Sequence, residues 1–480
     1  IYGFINSRSP ADSLAPAPIE SIAVLPFQNA SGNPDVEYLS DGMTESLINS
    51  LSKLPKLNVK ARSSVFRYKG KEVEPQKIVE ELNVQAILSG RVVQRGDDLT
   101  LYLSLVDGRS GNQLWGEQYN RKLADLLTLQ SEIARDVSRK LRARLSGADE
   151  QKVTKSYTAN AEAYQLYLKG RHHLVKLTPP ETQKGMAYFQ QAIELDPSYA
   201  LAYAGLADAY RSLGLAGEMP PHEFFPKAKA AAQRALEIDD ALAEAHSALG
   251  SNLFWYEWDW SAAESQFKQA IELNPNSADA HWGYAHLLSN TGRHAEGLAE
   301  AKRARELDPL NLRTNALEGQ FLLHAGRTDE ALAKLQTTFE LDPTYWFAHM
   351  FASSAYLEKG MYSEAIAEAR KASEFSNGSS HALVFLGYAL AKSGKHAEAR
   401  AVLEELIKRS SERYTSLYNI ALVYNGLGEH EETLAWLERG YEKRDPKMVF
   451  LKVEPKWNNL RADPRFQALL QRVGFMPQSE

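Results

Sequence analysis

The sequence predicts an α/β domain built on a mixed sheet, followed by an all-α solenoid of repeated helix pairs. Three observations predict this. A short tag recurs at a fixed interval through the second half. Each interval holds two apolar stripes at helical spacing. The first third instead alternates short apolar runs with hairpin turns.

In the first part, Ile22 to Phe27 (IAVLPF) is an apolar run of the kind a buried strand needs. NASGNP (29–34) is a loop, and Asp35 opens a helix with Val36, Leu39, Met43, Leu47, Leu51 and Leu54 on one face. Gly42 interrupts that helix at a cost of about 1 kcal/mol against Ala, so close packing is its expected reason. Leu57 to Ala61 reads as a second strand, and Pro75 to Leu82 as a short helix with Pro in its first turn. Strands at 84–93 and 99–106 flank RGDD, and a third at 113–121 follows the turn DGRSGN. Leu123 to Leu145 is a long amphipathic helix. The order is β-α-β-α-β-β-β-α, a mixed sheet ending in a meander. The expected boundaries are a tail and linker at 1–18, the α/β domain at 19–147, a linker at 148–160, repeats at 161–443 and capping helices at 444–480.

The tag is clearest as AIELDP, ending at Pro197, and returns as AIELNP, RELDP and FELDP ending at Pro275, Pro309 and Pro343. Weaker copies end at Asn377 and Ser411 and fall near Asp445, so the interval from Pro275 onward is 34 residues. A period of this size marks a solenoid. Between Ser277 and Pro309, Ala280, Tyr284, Leu287 and Leu288 form one stripe, and Leu298, Ala301, Ala304 and Leu307 a second. NTGR breaks the stripes between them, and Asp308-Pro309 ends the unit, because Pro cannot continue a helix. Eight helix pairs are expected. Two depart from the period: one carries extra residues in LGLAGEMPPHEFFP (213–226), the other WYEWDW (255–260).

Composition narrows the function. Net charge is −6, and residues 19–147 are near neutral with 18 basic and 16 acidic side chains, so neither half reads as a phosphate-backbone binder and no nucleic-acid partner is expected. Cysteine is absent, which excludes disulfides and thiolate metal sites. Phosphate loops, HExxH and the kinase signatures are absent, so neither catalysis nor a cofactor is expected of this chain. His172-His173 are neighbours that diverge on a helix, so they are not expected to share a metal. Of His246, His281, His286, His349 and His381, most fall on first helices of repeats, where a proton-sensing role is conceivable. ARSSVFRYKGK (61–71) mixes cations with aromatics, and a loop packing on the sheet is favoured over a partner-binding or base-stacking edge. Trp255, Trp258 and Trp260 either close the enlarged turn against the next repeat or anchor a partner. The chain begins IYGFINSRSP, without Met, and is expected to be a processed product or a fragment. IYGFI is either the trailing end of a transmembrane helix or an arbitrary boundary.

The 34-residue unit, its small-residue positions and its terminal Pro resemble tetratricopeptide repeats over 161–441. A stack of such pairs has a concave groove lined by the first helices. Counting outward from the buried positions places Trp282, His286, Asn290, Gln320, Phe347, Met350, Tyr388, Tyr418 and Asn425 on that wall, free for a protein or peptide ligand. The alternative is a scaffold with no single ligand. Trp457, Leu460, Phe466, Leu469 and Leu470 are expected to cap the last unit.

SIAVLPFQNASGNPDVEYLSDGMTESLINSL, VFRYKG, LSGRVVQRGDDLTLYLSLVD and LWGEQYNR resemble the TolB-amino-terminal-like domain of bacterial signalling proteins. That resemblance implies a non-catalytic sensor and interaction region on the extracytoplasmic side of the inner membrane, with IYGFI the end of an anchoring helix. The implied output, absent from this sequence, is most often a serine/threonine kinase, otherwise a CadC-like winged-helix regulator or a class III nucleotide cyclase. A free-standing adaptor is the remaining reading. Ligand identity and oligomeric state are not legible.

Overall fold

In the computed structural model, residues 19–141, 147–176, 178–215 and 219–475 are described. IYGFI, the linker before Pro18 and the middle of the 213–226 insertion lie outside them.

Six strands form one sheet: β1 (Ser21–Val24), β2 (Gln28–Asn29), β3 (Asn58–Val59), β4 (Ala86–Arg95), β5 (Asp98–Asp107) and β6 (Gln113–Lys122). Their order is β3-β1-β4-β5-β6, with β2 pairing onto β4. β1 runs parallel to both neighbours, and β4, β5 and β6 form an antiparallel meander. Ile22, Ala23 and Val24 are buried on both faces, which explains a continuous apolar run without alternation. On β5 only every second residue is buried, at Leu99, Leu101, Leu103 and Leu105. The β4–β5 turn closes at Gly96, whose φ of +59° suits a residue without Cβ. Helices Glu37–Ser52 and Leu126–Lys140 complete the domain, placing Leu39, Leu47, Leu51, Leu129, Ile133 and Val137 in its core.

Two expectations shift. The second strand keeps only Asn58 and Val59, because the chain turns into the helix Arg62–Val65 and a 3-10 turn at Phe66–Tyr68. Part of the expected linker is a helix, Gly147–Thr154, which buries Val153.

Eight helix pairs follow among the described residues, from Ala161–Leu174 with Pro179–Leu195 to Leu417–Leu427 with His430–Glu442. Small residues mark the closest contacts. Ala270, Ala304, Ala331, Ala365, Ala372 and Ala399 are all buried, at 0 or 1% exposure. The two halves share a core, since Leu168, Phe189 and Tyr199 of the first repeats join the cluster that contains the sheet. Gly42 marks a close approach, where a Cβ would come within 2.8 Å of Leu168.

The segment Ala61–Lys71 packs against the repeats rather than remaining a loop on the sheet. The Ala61 amide donates to the Leu307 carbonyl (2.9 Å), Ser64 Oγ to Asp308 (2.6 Å) and Arg67 to the carbonyls of Leu310 and Leu341. Lys69 pairs with Glu37 and Asp41, and Arg62 with Glu45. These cations have intramolecular partners, which leaves little for a base-stacking edge. His172 and His173 turn to different carboxylates, Asp41 (3.2 Å) and Glu181 (2.9 Å), and no metal-ligand cluster occurs among the described residues.

Candidate partner-binding groove

The first helices of the later pairs present a common wall of aromatic, amide and imidazole groups. That wall is not free: the chain's own residues 444–475 run along it. After the last helix pair, Asp445 accepts hydrogen bonds from Ser416 Oγ (2.8 Å) and the Tyr418 amide (3.1 Å) and caps the 3-10 turn Pro446–Phe450. A second 3-10 turn, Pro455–Leu460, is capped by Glu454, and a final helix, Pro464–Arg472, packs on His430–Glu442. Pro at the first position of each element starts it without losing a needed donor.

Tyr418 (3% exposed) accepts a hydrogen bond from Trp457 Nε1 at 2.8 Å. Asn425 donates to the Lys456 carbonyl at 2.6 Å and exchanges amide contacts with Asn459. Tyr388 and Phe385 flank the Lys456 ammonium, at 5.8 and 5.1 Å from their ring centroids. That ammonium also donates to Ser354 Oγ and Glu454, both at 2.9 Å. Met350 is fully buried in the wall. Trp282 is half-buried, stacked on Phe321 and edge-on to His286 (4.7 Å). Phe347 is also half-buried, against Trp346 and His381. Of the nine residues placed on the wall from sequence, only these two keep substantial accessible surface.

Four polar members of the wall are buried without a hydrogen bond from the protein. Both ring nitrogens of His286 and of His324, both amide atoms of Asn290 and Oε1 of Gln320 lack a partner. Burial pushes the His286 imidazole well below its ordinary value, and the cations Arg313 and Lys447 add to this. Burial likewise lowers His324, to about 4. Such groups each cost about 1–3 kcal/mol when left unsatisfied. Glu454 is held the other way. Burial opposes its ionisation, but Lys456 and its hydrogen bonds outweigh that and lower its pKa.

The WYEWDW insert reaches the far end of the chain and not only the next repeat. Leu253–Glu257 forms a π-helical turn, and Trp258 takes φ +59° to redirect the chain into the next helix. Trp255 meets Phe450 at 5.9 Å, Trp258 meets Tyr441 at 5.6 Å beneath Arg444, and Trp260 stacks on Phe475 at 4.8 Å. The third pair is thereby tied to the residues after the eighth, and the three tryptophans are covered by this chain itself. Sequence reasoning saw the C-terminal apolar residues as a cap and missed that they also enter the groove. Two signals were present: aromatic residues beyond what one cap needs, and an insert with no local apolar partner to match.

Among the described residues no helix is long and apolar enough to cross a membrane. Residues 19–136 match the family model of the HilA/YgeH-like transcriptional regulator, second domain. Tetratricopeptide-repeat models match residues 257–321, 317–380 and 386–448. The chain is similar to putative adenylate cyclase 3 of Rhizobium meliloti (strain 1021), 32% identical over 260 residues, covering 52% of this chain and 44% of that protein. It is similar to the transcriptional regulator HilA of Salmonella typhimurium (strain LT2), 24% identical over 289 residues, covering 59% of this chain and 50% of that one. The chain thus spans about half the length of these relatives. Among solved structures, Cut9 with Hcn1 from the APC/C aligns with a TM-score of 0.44 at 16% identity, over 73% of this chain and 63% of that one. The chain therefore carries an N-terminal mixed-sheet domain followed by an array of tetratricopeptide repeats, a protein-interaction architecture.

Proposed function

We propose that this chain is the non-catalytic sensing and interaction region of a bacterial regulatory protein, and that its output is a nucleotide cyclase or a DNA-binding domain. The observation that carries this reading is the order of parts. A domain of the kind found second in HilA-type regulators precedes the repeats, and the two named relatives are a putative cyclase and a transcriptional regulator. Neither of them is a kinase, so the serine/threonine-kinase output implied by the TolB-like resemblance takes second place. A membrane anchor and an extracytoplasmic location rest on that resemblance and on IYGFI alone.

In this reading the repeats receive a polypeptide partner on the inner wall, and the α/β domain hydrogen-bonded to them passes the change on. Expressing the complete gene product with and without residues 19–475 tests it. Cyclic-nucleotide formation from ATP or retention of promoter DNA, altered by removal of this region, is the expected result. A gene product with neither activity overturns the output. Catalysis by this chain alone overturns its non-catalytic role.

A further inference from the structure

We propose that residues 446–475 are a displaceable intramolecular occupant of the groove. The competing occupant is a partner polypeptide that repeats the chemistry of Glu454–Trp457: a carboxylate, then a lysine, then a large aromatic side chain. The proposal rests on the reading of the repeats as an interaction surface and names the partner class for it.

The seat is built for such a segment. It grips one main-chain atom, the Lys456 carbonyl, through Asn425 Nδ2 at 2.6 Å. It grips a cation between Phe385 and Tyr388, with Ser354 Oγ at 2.9 Å. It grips an indole through Tyr418, whose OH accepts from Trp457 Nε1 at 2.8 Å and whose ring meets the indole edge-on at 5.3 Å. These contacts come from three successive inner helices, 346–358, 380–392 and 417–427, as they do when a solenoid holds an extended chain. The segment reaches the seat through two short 3-10 turns, each opened by Pro, and not through a helix that continues the repeat stack.

The same segment packs its apolar side chains into the wall but leaves polar groups of the wall unmatched. Beside it His286, Gln320 and His324 keep buried polar atoms with no hydrogen bond to protein, although Glu454 and Lys456 lie next to Gln320 and His324. A wall with donors and acceptors in reserve, and with Trp282 and Phe347 still partly open next to it, accommodates a longer chain than its present occupant.

The test has two arms. In the intact chain, amide hydrogen exchange is followed by mass spectrometry. Residues 446–461 are expected to exchange at least tenfold faster than the inner helix 380–392. Equal protection overturns displaceability, because the segment would then open only with the whole fold. In the second arm, a fluorescent synthetic peptide of this chain's residues 444–475 is titrated against three proteins. Wild type is expected to bind it weakly. Lys456→Met with Trp457→Ala, which weakens the internal occupant, is expected to bind at least tenfold more tightly. Adding Asn425→Ala and Tyr388→Ala in the wall is expected to abolish the gain. No gain in a double variant that retains wild-type helical content by circular dichroism overturns the seat. Where the double variant loses its helices, Lys456→Met alone takes its place with the same criterion. A parent protein lacking cyclase or DNA-binding activity leaves both arms unaffected, so that failure is distinguishable from this one.

Discussion

His281 shows how one side chain can hold two turns of the array. Its Nε2 faces the Pro275 carbonyl at 3.0 Å, and its Nδ1 faces Glu300 at 2.5 Å. His349 repeats the arrangement with Pro343 and Glu368, and His246 does so with the Asp240 carbonyl and Gln266. At the same register between them, Asn315 reaches the Pro309 carbonyl at 2.9 Å with an amide instead. The position therefore favours a donor to the carbonyl just before its own helix, which gives these histidines a structural role as staples. Replacing His281→Asn is expected to cost less than about 1 kcal/mol, since Asn already performs this contact one repeat on. His281→Leu is expected to cost about 1–2 kcal/mol, by taking the donor from the part-buried Pro275 carbonyl and the partner from Glu300. Urea midpoints of the two variants check this, and equal losses would show that the carbonyl contact carries no weight. The 34-residue spacing that put these residues in register was legible in the sequence. Their partners, in a turn and on a second helix, were not, because helical periodicity reports which face is buried and not which polar atoms meet there.

At the scale of elements, the docking of the α/β domain depends on small departures from the repeat tag. The other strong tags read LDP, but the third pair ends LNPN, and the difference has a physical reason. The Asn276 amide nitrogen lies 2.9 Å from the carbonyls of Ser52, Leu54 and Leu57, and Asn274 donates to Ser52 Oγ at 3.0 Å. The next tag keeps its Asp, and Asp308 takes hydrogen bonds from Ser63 and Ser64. Asn276→Leu removes the donor from buried carbonyls and is expected to cost about 2–3 kcal/mol. It should also separate the unfolding of the two halves, so that fluorescence of Trp115, the one tryptophan of the α/β domain, loses coincidence with helical circular dichroism. A single coincident transition with an unchanged midpoint would refute this role. The asparagines were visible as anomalies in sequence, yet their targets lie more than 200 residues away, beyond any local pattern. The hairpin β4–β5 was legible for the opposite reason: apolar alternation and a Gly-Asp turn settle it within 22 residues. The second strand was overread because Leu57 to Ala61 carries strand-like residues, while contacts from the repeats pull the chain into a helical turn after Val59.

Across the whole molecule, the closing contact between the end of the chain and the inner wall makes stability depend on pH. Burial keeps His324 neutral in the folded chain down to about 4, whereas an unfolded histidine takes up a proton near 6.5. The unfolded state therefore binds protons first, and stability is lost as pH falls from 6.5 toward 4. The loss from His324 amounts to about 3 kcal/mol when complete. His286 acts in the same direction. Around His324, Glu454 favours the proton, while Lys456 and His294 oppose it, and Glu358 lines the adjoining cavity. Around His286, Arg313, Lys447 and His324 all oppose it. Neither histidine meets a hydrogen-bond partner that would stabilise the charged ring, so burial dominates. The apolar neighbours Phe254, Trp255 and Phe321 do not titrate, and Phe450, which meets both Trp255 and His324, belongs to the segment 446–461 that the two histidines border. His286→Phe with His324→Leu is expected to flatten the dependence. Between pH 7.5 and 4.5 the wild type should lose more thermal stability than the double variant, with exchange protection of residues 446–461 falling before that of the outer helices. Parallel melting curves for both proteins would place the acid sensitivity elsewhere and remove the two histidines from any account of how the groove opens.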